Sequence, residues 1–292
     1  IGVVAIGDLV VRKSHGKDII FKVIDIDKRD MGLNRCVLKG MHLRLVADAP
    51  VTDLEAITAE CLRNEVVKLE RVQRSYLERA FDRRKGERRK KDLLRGDSSK
   101  KFSFFDVPGR VLHIDGDEEY LKMCLKTYSQ LNLEAVGRCI DEVKQPTFVT
   151  GLVEQYHPDI LVLTGHDALI GGKKDFNDIN NYRHSKYFVE SVKKARSIEP
   201  SRDELVIFAG ACQSYFEAIL AAGANFASAP TRIFIHAYDP VFIAEKVAFT
   251  PINRTVDVND AIAASVTGIE GVGGVETRGK FRLGLPKTPY GY

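Results

Sequence analysis

Apolar residues gather into short unbroken blocks through the second half of the chain: Val111-Leu112, Ile160-Leu161-Val162-Leu163 and Val206-Ile207-Phe208-Ala209. Blocks of this length, without a polar residue at every second position, predict strands buried on both faces of a sheet. Between them the apolar period changes to three and four. The pattern predicts strands over 110–115, 135–140, 160–164, 206–209 and 232–236, with helices over 118–131, 146–156, 184–196, 215–222 and 240–248. Strand-helix alternation of this kind predicts an α/β fold with a mainly parallel, doubly wound sheet. The glycine-rich tail, 271–284, predicts a closing hairpin.

The first half follows a different rhythm. Short β-type runs at 9–11, 19–26, 36–38 and 43–46 predict a small SH3-like β-barrel over residues 1–50. From Thr52, apolar residues recur at helical spacing: Leu54, Ile57, Cys61, Leu62, Val66, Leu69 and Val72. This amphipathic stretch, 52–76, offers a face for a neighbouring element or for an oligomer through a coiled-coil pair. Beyond Tyr76 the stripe thins, and 83–91 reads as an exposed basic linker. The expected organisation is a barrel over 1–50, a helical and basic linker over 51–103, and an α/β domain over 104–292.

Charge sharpens the linker and little else. The net charge of +4 hides a segment, Arg79 to Lys101, with eleven basic and four acidic residues. The rest of the chain is therefore slightly acidic, and a nucleic-acid partner is not expected. No run reaches membrane-spanning length and no signal-peptide layout opens the sequence, so a soluble protein made in the cytoplasm and not bound to a membrane is expected. The five cysteines are scattered and form no CxxC pair, and the seven histidines show no ligand spacing. No disulfide framework, metal or cofactor is expected.

Candidate chemistry lies at two strand ends. Val206–Ala209 breaks at Gly210 and delivers Cys212 just before a predicted helix, with Ser214 and Glu217 in a capping-box pattern. A helix N-terminus favours thiolate, so the position suits a nucleophile. Ile160–Thr164 ends in Gly165 and His166. One predicted helix separates the two strands, so they should lie parallel and open on the same sheet edge. Cys212 and His166 would then face one crevice, the minimal equipment for covalent cysteine catalysis. A buried cysteine that merely fills space and a loop histidine that merely makes a hydrogen bond are the plain alternatives. A receiver-like reading also exists, because Asp115 and Asp117 follow the first strand. The acceptor aspartate that such a domain needs is absent, since the third strand ends Thr164-Gly165-His166.

The segments VLHIDGDEEYLKMCL, HPDILVLTGHDA, NNYRHSKYFVESV, LVIFAGACQSYFEAI, AGANFASAPTRIFIHAYDPV and GGVETRG, with the opening IGDLVVRKS, resemble the YabG family of sporulation-specific peptidases. The resemblance runs along nearly the whole chain and is weakest over 50–103. It implies a cysteine peptidase of the mother cell that cuts spore coat and cortex-associated proteins after arginine or other basic residues. The family's histidine and cysteine fall on His166 and Cys212. The order of histidine and cysteine, each ending an apolar strand, is also similar to the caspase-like layout, in which the histidine lies about 50 residues upstream. This chain has His166-Asp167 where that layout carries His-Gly.

With this activity, the amides of Cys212 and Asp167 would stabilise the oxyanion. Arginine recognition would need a buried carboxylate; Asp115, Asp117 and Asp239 are candidates, with Asp167 behind them and Gln213 lining the entrance. The basic linker would offer self-cleavage sites after Arg84 and Arg89. Two other classes stand beside the peptidase: a binding protein with a degenerate receiver-like domain, and a spore-structural protein docking through its barrel.

Overall fold

The computed structural model describes residues 4–27, 35–95, 104–170 and 175–287. In the second half, β7 (Val111–Asp115), β8 (Ala135–Cys139), β9 (Ile160–Thr164), β10 (Val206–Ala209), β11 (Phe226–Ser228) and β13 (Val272–Gly274) form one sheet, in the order β13-β11-β10-β9-β7-β8. All neighbours pair in parallel except β13, which closes one edge antiparallel to β11. The fold is therefore mixed α/β with a mainly parallel sheet.

The unbroken apolar strands are explained by two cores. Ile160, Val162, Val206 and Phe208 point to one face, packed on α2 (Glu118–Gln130) and α6 (Asp239–Phe249). Leu161, Leu163, Ile207 and Ala209 point to the other, packed on α3 (Gln145–Tyr156), α4 (Ser185–Ile198) and α5 (Phe216–Ala221). Alternate side chains thus serve opposite faces, which is why the apolar runs are continuous. Parallel strands need crossover helices, and these supply both layers.

Three expectations are corrected here. The fifth strand of the sheet is β11, while 232–236 runs extended across the sheet's carboxyl edge, because the chain turns at Ala229 and Arg232, both with positive φ. The tail forms no hairpin of its own. β14 (Thr277–Arg278) pairs with β12 (Thr255–Val256), next to α7 (Val258–Ala264), and β15 (Arg282–Gly284) pairs with β6 (Phe105–Val107). Residues 83–88 are helical rather than a linker, although Lys85, Gly86 and Arg88 remain exposed. They continue α1 (Ala59–Arg95), a single helix docked on α6, with Tyr76 on Phe242 at 5.1 Å and Arg84 paired to the buried Glu245 at 2.7 Å. The sequence reading missed this because the partner charge lies 161 positions away.

The N-terminal strands β1 (Leu9–Arg12), β2 (Ile20–Asp27), β3 (Arg35–Gly40), β4 (Val46–Pro50) and β5 (Leu54–Ala56) form an antiparallel sheet in the order β4-β3-β2-β1-β5. It extends past residue 50 to take in β5. Among the described residues β4 and β5 are its two edges, so no closed barrel is formed. Its core, Val10, Phe21, Val23, Cys36 and Leu38, is shared with Cys212, Ala229 and Ile235. The small sheet therefore sits over the carboxyl edge of the large one. Among the described residues no helix is long and apolar enough to cross a membrane.

Candidate active site

Strand register places the candidate residues. Leu163 of β9 pairs with Ala209 of β10, and His166 and Cys212 each lie three residues beyond that pair. Asp115 of β7 pairs with Thr164, and Asp117 and His166 each lie two residues beyond it. Asp117, His166 and Cys212 therefore all follow the carboxyl ends of adjacent parallel strands, β7, β9 and β10. This is the carboxyl edge, near the point where strand order reverses, where open α/β sheets bind ligands.

His166 is held between two carboxylates. Its Nδ1 lies 3.4 Å from Glu142 Oε1, and that oxygen also accepts the His166 amide at 2.6 Å. Its Nε2 lies 3.4 Å from Asp117 Oδ2 and is buried with no hydrogen-bond partner. Glu142 follows β8 and reaches the site only because Gly116 and Gly165 lack side chains; a Cβ at either would overlap its carboxylate. Burial pushes the Glu142 carboxyl up, but its bonds to His166 outweigh this and leave it below the ordinary value. The His166 carbonyl in turn accepts from His184 Nδ1 at 2.7 Å, which fixes the start of α4.

Cys212 is fully buried. Its Sγ accepts the Ile235 amide at 3.2 Å and lies 3.8 Å from the Ile235 carbonyl oxygen. Burial pushes the thiol up to about 12, although the Ile235 amide acts against this. The expected capping box is absent. The helix begins at Phe216, and Ser214 instead donates to Asp167 at 2.9 Å and accepts the Ala211 amide. In this arrangement the sulfur lies under the N-terminal sheet, in the core it shares with Val10, Phe21 and Leu38. No hydrogen bond joins it to His166 among the described residues. Neither the Cys212 amide nor the Asp167 amide donates to a protein acceptor among the described residues, and both residues are buried.

A family profile described as YabG peptidase U57 matches residues 5–286. The sporulation-specific protease YabG of Bacillus subtilis (strain 168) is 44% identical over 282 residues, 96% of this chain and 97% of that protein. The chain belongs to the YabG peptidase family. No solved structure matches it.

Within this YabG-family fold the acidic candidates separate. Asp115 is fully buried and paired with Arg44 Nη1 at 2.8 Å; burial alone would raise its carboxyl, but the guanidinium holds it well below the usual range. Asp117 caps α2 through the Glu119 and Tyr120 amides and pairs with Lys39 at 2.9 Å. Asp239 ties down the 265–267 turn, accepting from the Val266, Thr267 and His236 amides and the Thr267 hydroxyl. The Asp167 side chain is likewise taken up by Ser185, Ser214 and the His184 and Ala168 amides. Gln213, at φ 56°, accepts the Leu169 amide at 3.3 Å. Arg84 is inside α1, and the Arg89 side chain lies outside the described residues.

His113, Asp115 and Cys124 come close enough to share a metal ion, but all are buried around the Arg44 guanidinium, which already supplies the positive charge. The sequence reading missed Glu142 and Arg44. Glu142 had left a signal, an acid just past a strand end on the same edge. Arg44 had left none, because its role depends on the docking of the two sheets.

Proposed function

We propose that this YabG-family chain is a cysteine endopeptidase that cuts proteins of the forming spore coat and cortex after arginine, with Cys212 as nucleophile and His166 as its acid and base. The observation that carries the reading is the register of β9 and β10. It supports the pairing because both residues follow the carboxyl ends of adjacent parallel strands, with His166 Nδ1 facing Glu142 and Nε2 making no hydrogen bond, 3.4 Å from Asp117. Attack by sulfur forms a thioester and breaks the amide bond, and the imidazole delivers the proton to the leaving amine. Water then releases the acyl group. The amides of Cys212 and Asp167 stabilise the oxyanion, and Glu142 positions the ring. Asp115 is the acid best placed to pair with a desolvated guanidinium, since it already does so with Arg44. The enzyme would work in the mother cell on the spore surface.

The test is hydrolysis of fluorogenic peptides carrying Arg, Lys or Asp at the cleaved position, by wild type and Cys212→Ala. Turnover of the Arg peptide that disappears in the variant is the expected result. Equal turnover by both proteins would remove Cys212 from the mechanism, and a preference for the Asp peptide would remove the arginine pocket.

A further inference from the structure

The turn between β3 and β4 lies in the candidate cleft in the manner of a bound peptide. Leu43 bridges antiparallel to His236. The Arg44 amide donates to the Ile235 carbonyl at 3.2 Å, and the Ala237 amide donates to the His42 carbonyl at 2.8 Å. Recognition by strand addition works in this way: main-chain bonds hold the segment and alternate side chains enter pockets. Arg44 is the side chain that enters. It is fully buried, with Nη1 on Asp115, Nη2 3.4 Å from the Ala237 carbonyl and 3.5 Å from Cys124 Sγ, and its guanidinium 5.2 Å from the centre of the Tyr120 ring. Tyr120 secures the turn by donating to the Leu43 carbonyl at 2.7 Å and to the Gly40 carbonyl.

The same strand holds the nucleophile. The Ile235 carbonyl that accepts the Arg44 amide lies 3.8 Å from Cys212 Sγ, and the Ile235 amide donates to that sulfur. The Arg44 main chain and the thiol thus share one residue as partner. A salt bridge serving only to join two domains requires neither the β-type pairing nor this proximity to the cysteine.

We propose that His42-Leu43-Arg44 is the chain's own first substrate, with Arg44 in the arginine pocket based on Asp115, and that Cys212 cuts the Arg44–Leu45 bond to open the cleft. The proposal rests on the peptidase reading above. Cys212 sulfur bonds to the Arg44 carbonyl carbon, the bond to the Leu45 nitrogen breaks, and His166 passes the thiol proton to that nitrogen. Water hydrolyses the thioester, leaving a carboxylate on Arg44 and a restored thiol. Until the cut, the N-terminal sheet denies the cleft to other proteins.

The experiment follows purified full-length wild type and Cys212→Ala by intact-mass measurement and N-terminal sequencing, with hydrolysis of the Arg peptide recorded in parallel. The expected result is a new N-terminus at Leu45 in wild type only, with peptide hydrolysis rising at least about tenfold as the full-length chain disappears. Arg44→Lys keeps the buried charge and hence the fold, but one ammonium cannot reach Asp115 and the Ala237 carbonyl as the two Nη atoms do; its cut should slow about tenfold or more. An unchanged rate in Arg44→Lys overturns the proposal. So does a full-length chain that hydrolyses the peptide at its final rate with Arg44–Leu45 intact, or a cut only elsewhere, such as after Arg84; in these cases the peptidase reading stands. A folded chain that neither cuts itself nor hydrolyses the peptide overturns both.

Discussion

Replacing Asp115 with Asn removes the charge that anchors the 40–45 turn over Cys212. Arg44 and Asp115 are both fully buried, and breaking such a pair from one side leaves an uncompensated charge, costing about 3–5 kcal/mol. If the turn opens locally, the population in which Cys212 is accessible rises by the same free energy. At about 1.4 kcal/mol per decade this is roughly a hundredfold to a few thousandfold. The closed thiol starts from a low base. Raised to about 12, it holds far less thiolate at neutral pH than an ordinary cysteine near about 8.5, by roughly three powers of ten. Alkylation with iodoacetamide, read by peptide mapping, measures the change. Cys61 and Cys139 are exposed and serve as internal references. In the intact wild type Cys212 should lag both by about a thousandfold or more, and in Asp115→Asn most of that lag should vanish while Cys61 is unaltered. Labelling of wild-type Cys212 at the rate of Cys61 would refute the burial argument. A variant that loses global stability but leaves the Cys212 rate unchanged would refute Asp115 as the anchor.

Two further outcomes follow from the same contacts. Glu142→Gln should lower kcat on the Arg peptide roughly a hundredfold with KM nearly unchanged, because the ring loses its orienting carboxylate while the substrate pocket is untouched; a change confined to KM would place Glu142 in binding instead. For pH, the Asp115 carboxyl is depressed in the folded chain relative to its unfolded value of about 3.9. Its stabilisation is therefore present above that unfolded value and is lost as pH falls below it towards the folded one. Urea unfolding should show wild type losing stability below about pH 4 more steeply than Asp115→Asn, and parallel pH curves for the two would contradict the assignment.

The sequence determined the α/β class, the strands β7 to β10 and the helices between them, because these rest on local apolar period and strand length. It also determined that His166 and Cys212 end neighbouring parallel strands, since a single crossover helix leaves little choice of edge. The register of those strands was decided by tertiary structure, because side-chain pattern does not encode it between strands buried on both faces. The thiol's state was misjudged for a related reason. The sequence showed the short helix after Cys212 but not the N-terminal sheet above it, and burial outweighs a helix end that begins only at Phe216. The basic stretch read as linker because its counter-charge, Glu245, is remote in sequence and buried. Arg44 was silent for the same cause: within 1–50 it is one basic residue between two apolar ones. Only when the small sheet docks on the large one does it meet Asp115 and lie beside the nucleophile, and that meeting belongs to tertiary structure alone.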